Sequence, residues 1–151
     1  MRRVLVCLCV LAAGFAPAPL PRPERGRADS AEADLAAMQG TWRVKSQSVG
    51  GGESKADAEG WRLVVSGPRM RYVRPNGLVS AEFEVILNAR ARPKAMDLRS
   101  HGQVVWRAKY CFRGGQLITC LIHSVERGPD RPPTCEPGPE RLYEVFERVS
   151  P

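Results

Sequence analysis

Little in this sequence is arranged for catalysis. It has no G-x-S-x-G, no H-E-x-x-H, no glycine-rich phosphate loop and no Walker pattern, which excludes the usual esterase, zinc-protease and nucleotide-binding readings. Only two histidines occur, His101 among turn residues and His123 at the end of an apolar run, and each reads as a solvated imidazole. Cys120 and His123 have a C-x2-H spacing, yet zinc sites bring a second close ligand pair, and Cys135 and His101 are not spaced as one, so no metal is expected. A cysteine nucleophile would need Cys111 or Cys120 beside His123 with a third, orienting group. Glu82 and Glu84, two residues apart, fit the polar face of a strand. The expectation is a chain with no enzymatic activity and no cofactor.

Two further absences bear on partners and compartment. The formal charge is +7, but no block of consecutive basic residues and no basic–aromatic interleaving occurs, so nucleic acid is not an expected partner. No apolar run reaches the roughly 20 residues of a membrane span. Met1-Arg2-Arg3 followed by Val4 to Phe15 instead has the layout of a secretory signal. Ala16-Pro17-Ala18 has the A-x-A form, with Gly14 a competing site because Pro19 would hinder cleavage. Residues 1–18 are therefore read as a signal peptide that carries Cys7 and Cys9 away, with an uncleaved, membrane-held N-terminus as the alternative. Export to the periplasm, the envelope or the medium follows. Residues 19–29, with Pro19, Pro21 and Pro23, form a semi-extended linker, and residues 30–150 form one domain.

What the domain does contain is alternation. Asp29 or Ser30 caps a short helix over 31–38, with Leu35 and Met38 on one side. From Gly40-Thr41-Trp42 onward, apolar residues recur every second position. Trp42 and Val44 open the pattern, followed by Trp61, Leu63 and Val65, then by Met70 and Tyr72. Val79, Ala81, Phe83, Val85 and Leu87 share the longest face. Met96 and Leu98 mark a short strand; Val104, Trp106, Ala108, Tyr110 and Phe112 a long one. Leu117 to His123 and Arg141 to Val149 complete the set. Pro75-Asn76-Gly77 and Gly114-Gly115 are turn signals. Eight strands with close turns and no helical crossover predict an all-β, eight-stranded antiparallel up-and-down barrel with a short N-terminal helix.

In such a barrel the last strand returns beside the first, which brings Arg148 to Trp42; stacking there would tie the closure, with Gly40 letting the chain bend in. Across the Gly114-Gly115 hairpin, Cys111 and Cys120 fall on the outer face near one another and are a candidate disulfide, with Cys135 an alternative partner for either.

The residues also carry a family likeness. Asp34-Leu35-Ala36-Ala37-Met38-Gln39-Gly40-Thr41-Trp42 resembles the D-L-x-x-L-Q-G-T-W opening of a planctomycete-type exported domain family of unknown function. Pro93-Lys94-Ala95-Met96-Asp97-Leu98 is similar to its P-K-A-I-D-L motif, Leu117-Ile118-Thr119-Cys120 to L-K-L-C, and Arg131-Pro132-Pro133-Thr134 to R-P-T. Cys135-Glu136-Pro137 stands where the family has an aromatic residue. The resemblance implies a lipocalin-like barrel and supplies no substrate. Gly-x-Trp also resembles the first-strand signature of lipocalins, which supports the Trp42–Arg148 stacking.

The expected function is a small, apolar ligand held in the barrel by Trp42, Trp61, Leu63, Tyr72, Phe83, Val85, Trp106 and Tyr110. The alternative is an envelope interaction module working through the outer cations Arg43, Lys45, Arg62, Arg69, Arg71, Arg107 and Lys109.

Overall fold

The computed structural model describes residues 30–53, 59–123 and 130–149; the expected signal peptide and linker lie outside them. Ser30 caps helix α1 (Ala31–Met38), its side chain accepting from the Ala33 N–H at 3.0 Å. Strands follow in the order β1 (Gly40–Val49), β2 (Gly52–Glu53), β3 (Arg62–Ser66), β4 (Arg69–Val73), β5 (Val79–Asn88), β6 (Ala95–Ser100), β7 (Gln103–Arg113), β8 (Gln116–His123) and β9 (Leu142–Arg148).

Each long strand pairs antiparallel with its neighbour, and β9 returns to β1 through Trp42↔Arg148 to Val49↔Leu142, which closes the sheet. The result is an eight-stave barrel; the two-residue β2 adds only a short pairing with Ser48 and Val49 of β1. The β3–β4, β4–β5, β6–β7 and β7–β8 turns are short because they join adjacent antiparallel strands.

The two ends of the barrel differ. At one end α1 lies across the opening. Gln39 pins it there, accepting from the Gly67 N–H at 2.7 Å and donating to the Gly67 carbonyl at 3.0 Å. Beneath it Met38, Trp42, Leu63, Met70, Met96, Tyr110, Leu117 and Phe146 are buried almost completely. Burying a side chain of this size contributes about 1.5–3 kcal/mol, so this layer is the main source of stability. Toward the opposite end the inward-facing rings of Trp61, Tyr72, Phe83 and Trp106 are only half-buried.

Three bulges break the alternation that the sequence predicts. In the β6–β7 pair Leu98 lies opposite Trp106 and Arg99 opposite Val104, so Val105 is the extra residue and Val104 leaves the inner face expected for it. Between Val44 and Ser46 the β1–β9 register shifts, so Lys45 is the extra residue and Gln47, not Ser46, comes to lie opposite Glu144. Between Tyr72 and Val73 the β4–β5 register shifts too, at Ser80. Val79 is therefore not part of the inner face expected for it and is 52% exposed.

Candidate functional site

The closed end is built on the G-T-W opening. The Trp42 indole N–H donates to the Met38 carbonyl at 2.8 Å, fastening the first strand to the last turn of α1. The Arg148 guanidinium stands over the Trp42 ring at 4.2 Å and donates to the Gln39 carbonyl at 2.6 Å and to that of Ala37. Gly40 has φ +110, which strains any side chain, so the bend calls for a glycine, and a Cβ there would sit 3.0 Å from the guanidinium and make it shift. Asp34 completes this end. Its carboxylate accepts two bonds from Lys94 Nζ at 2.9 Å and one from the Tyr110 hydroxyl at 2.6 Å, joining α1 to the β5–β6 turn and to β7. Burial and the Asp34 carboxylate push the Tyr110 phenol well up, so it stays a donor.

At the other end lies a cavity of about 410 Å³. Of the eight residues expected to hold a ligand, Trp61, Tyr72, Phe83 and Trp106 line it. The remaining four, Trp42, Leu63, Val85 and Tyr110, point inward as expected but are packed into the solid layer beneath α1 and do not reach the cavity. The reason is position along the strand. Alternation assigns a face, whereas depth along the barrel axis decides whether an inward residue meets core or cavity. Tyr72 packs edge-on against Phe83 at 6.3 Å and Phe146 at 6.4 Å, so it sits at the boundary between the two.

The cavity wall also contains a group that the sequence reading missed. Glu144 of β9 is 1% exposed and lines the cavity with Gln47. It accepts from the Tyr72 hydroxyl at 2.8 Å, from Gln47 Nε2 at 3.1 Å and from Thr119 Oγ1 at 3.3 Å. All three donors are neutral, and among the described residues no Lys, Arg or His forms an ion pair with it. Burial pushes its carboxyl up to about 7, the three hydrogen bonds only partly opposing this. Burial, followed by the nearby Glu144 charge, pushes the Tyr72 phenol well up as well. A signal for Glu144 was present: once Arg148 is placed facing inward, Phe146, Glu144 and Leu142 share its face by period two. Gln47 had none, since the bulge at Lys45 reverses the parity.

On the outside, the expected Cys111–Cys120 bridge is not formed. Arg113↔Gln116 sets the hairpin register so that Cys111 faces Ile118 and Cys120 faces Lys109, and the two cysteines are diagonal neighbours. Diagonal positions lie about 7–8 Å apart, beyond the roughly 4 Å Cβ separation of a disulfide. Instead Cys111 Sγ lies 3.6 Å from Cys135 Sγ, and the thiols are free. The Pro-rich segment carrying Cys135 lies over the outer face of β8, so Cys120 is fully buried, its Sγ 3.5 Å from the Glu136 carbonyl. His123 and Cys120, three apart on β8, fall on opposite faces of the strand.

Of the outer cations, Arg43 pairs with Glu147 at 2.8 Å and Arg69 with Glu82 at 2.9 Å. Arg107 lies 3.9 Å from Asp97, which also takes Arg131 at 2.7 Å, and Lys109 donates to the Pro93 carbonyl.

No family model and no curated protein matches the chain. A solved structure titled as that of wild-type fluorescent protein UnaG is similar in form, over 76% of this chain and 99% of that one, with 13% identity and a TM-score of 0.42. No helix among the described residues is long and apolar enough to cross a membrane.

Proposed function

We propose that the protein is an exported, non-enzymatic binding barrel that holds a small, largely apolar molecule in the cavity opposite α1. The observation that carries this is the cavity itself. Its volume of about 410 Å³ falls in the usual range for small-molecule sites, and four aromatic rings with few polar groups line it. The chain fills its other end solidly, so the space is not a general looseness of packing. Export is supported by the basic and apolar layout of residues 1–18.

The test is direct. Protein recovered from its native host should carry a retained small molecule in native mass spectrometry, and Phe83→Arg, which fills the cavity with a charged chain, should abolish retention. Recovery of only the bare chain, together with no uptake of apolar dyes by the purified protein, would sink the reading.

An oxidising compartment would add one covalent bond. Cys111 and Cys135 are the candidate pair, because their sulfurs lie 3.6 Å apart and the hydrogen bond between them holds the Cys111 thiol down to about 7. Closing a loop of about 25 residues contributes about 3 kcal/mol in the loop-entropy model. Peptide mapping of exported protein under non-reducing conditions should find Cys111 joined to Cys135; a Cys111–Cys120 peptide, or three free thiols, would refute the pairing.

A further inference from the structure

Among the described residues, the cavity wall carries a single acidic group and no basic one. A buried carboxylate ordinarily acquires a cation, since an ionised carboxylate away from water is costly unless it is paired. Asp34 in this same barrel does so through Lys94. Glu144 does not: three neutral hydroxyl and amide donors hold its oxygens in place and leave its charge uncompensated. With about four acceptor directions on a carboxylate, three donors leave one free on Oε1, the oxygen that takes only Gln47. The cavity that Glu144 helps to line is also lined by Trp61, Tyr72, Phe83 and Trp106, and aromatic faces attract cations through their quadrupoles. Arg74 already illustrates the attraction, its guanidinium 5.9 Å from the Trp61 ring.

We infer that the cavity selects a lipophilic ammonium ion, with the cation seated against Glu144 and the apolar body among Trp61, Tyr72, Phe83 and Trp106. The inference rests on reading the cavity as a ligand site and adds the chemical class of the ligand. An ammonium group supplies the missing countercharge and a donor for the free direction on Oε1. A fatty carboxylate would meet Glu144 with like charge. A neutral alcohol could donate the hydrogen bond but would leave the charge uncompensated.

Three probes of equal chain length separate these cases: decylamine, decan-1-ol and decanoate, titrated into the full chain at pH 8 below their aggregation limits. Trp61 and Trp106 serve as fluorescent reporters because both line the cavity. Decylamine should bind about tenfold or more tightly than decan-1-ol, and decanoate more weakly than either. In Glu144→Gln the amine should fall to the level of the alcohol while the alcohol moves by less than about twofold. Equal affinities for amine and alcohol in the unaltered protein, a preference for decanoate, or an amine preference that survives in Glu144→Gln would each overturn the inference and leave the ligand site standing. If none of the three probes binds, the ligand site itself fails and the inference with it. Because the ranking in the unaltered protein is decisive by itself, the outcome does not depend on the variant folding.

Discussion

Two buried carboxylates at opposite ends of one barrel are treated in different ways. Asp34 belongs to the lid, where it is 5% exposed, Lys94 neutralises it and Tyr110 caps it. Its charge ties a helix to a turn and to a strand, which is structural work completed within the chain. Glu144 is as deeply buried, yet among the described residues it is met only by Tyr72, Gln47 and Thr119, and it looks onto a cavity. Desolvation without a countercharge raises its carboxyl to about 7, a cost the fold carries without any packing gain in return. Asp34 is matched by a cation within the fold, whereas among the described residues Glu144 has none and borders open space.

Four substitutions test this contrast. The largest effect belongs to Trp42→Ala, which removes the ring that Arg148 covers and the bond to Met38; a buried aromatic truncated to alanine costs about 3–5 kcal/mol, to be read as a lower denaturation midpoint in urea. Asp34→Ala comes next. It takes the acceptor from the buried Tyr110 hydroxyl and removes two bonds to Lys94, for a loss of about 2–3 kcal/mol. A loss below about 0.5 kcal/mol would mean that the lid is not held by this carboxylate.

Glu144→Gln should move stability the other way. A carboxyl raised from 4.5 to about 7 binds its proton more tightly in the folded state, so its favourable contribution is complete below about pH 4.5 and is lost as pH rises through about 7. Substitution by the neutral amide should therefore stabilise by about 2 kcal/mol at pH 8 and change little at pH 4. Urea melts of both proteins at the two pH values check this. A variant less stable at pH 8 would show that the Glu144 charge is compensated in the free protein, which would remove the contrast.

The smallest effect is Arg148→Ala, about 1–2 kcal/mol from the lost stacking and the lost bonds to Ala37 and Gln39. Hydrogen exchange should localise the loosening to α1 and the first residues of β1. Uniform exchange across the barrel would place the role of Arg148 elsewhere.

Much of this molecule could be read from the chain. Period-two alternation together with the turn signals locates every long strand, the Asp29–Ser30 cap and the Leu35–Met38 pair locate the helix, and the requirement that β9 return beside β1 places Arg148 at Trp42. Alternation also found the four aromatic residues of the cavity, though it joined to them Trp42, Leu63, Val85 and Tyr110, which share their inward direction but lie at another depth. Cys111 and Cys120 were correctly assigned to the outer face. Their pairing was not readable, because the hairpin register and the path of the Pro-rich segment both decide it.

The staves, their inward faces, the lid and the point of closure follow from residues near in sequence or from the need of a sheet to satisfy its edges. What faces what across the barrel is settled in the assembled fold alone. Gln47 meets Glu144 because a bulge at Lys45 turns the strand, Tyr72 reaches Glu144 from β4, and Cys135 reaches Cys111 from a distant segment. These meetings are set by register, depth and twist summed over many strands, and no local pattern records that sum.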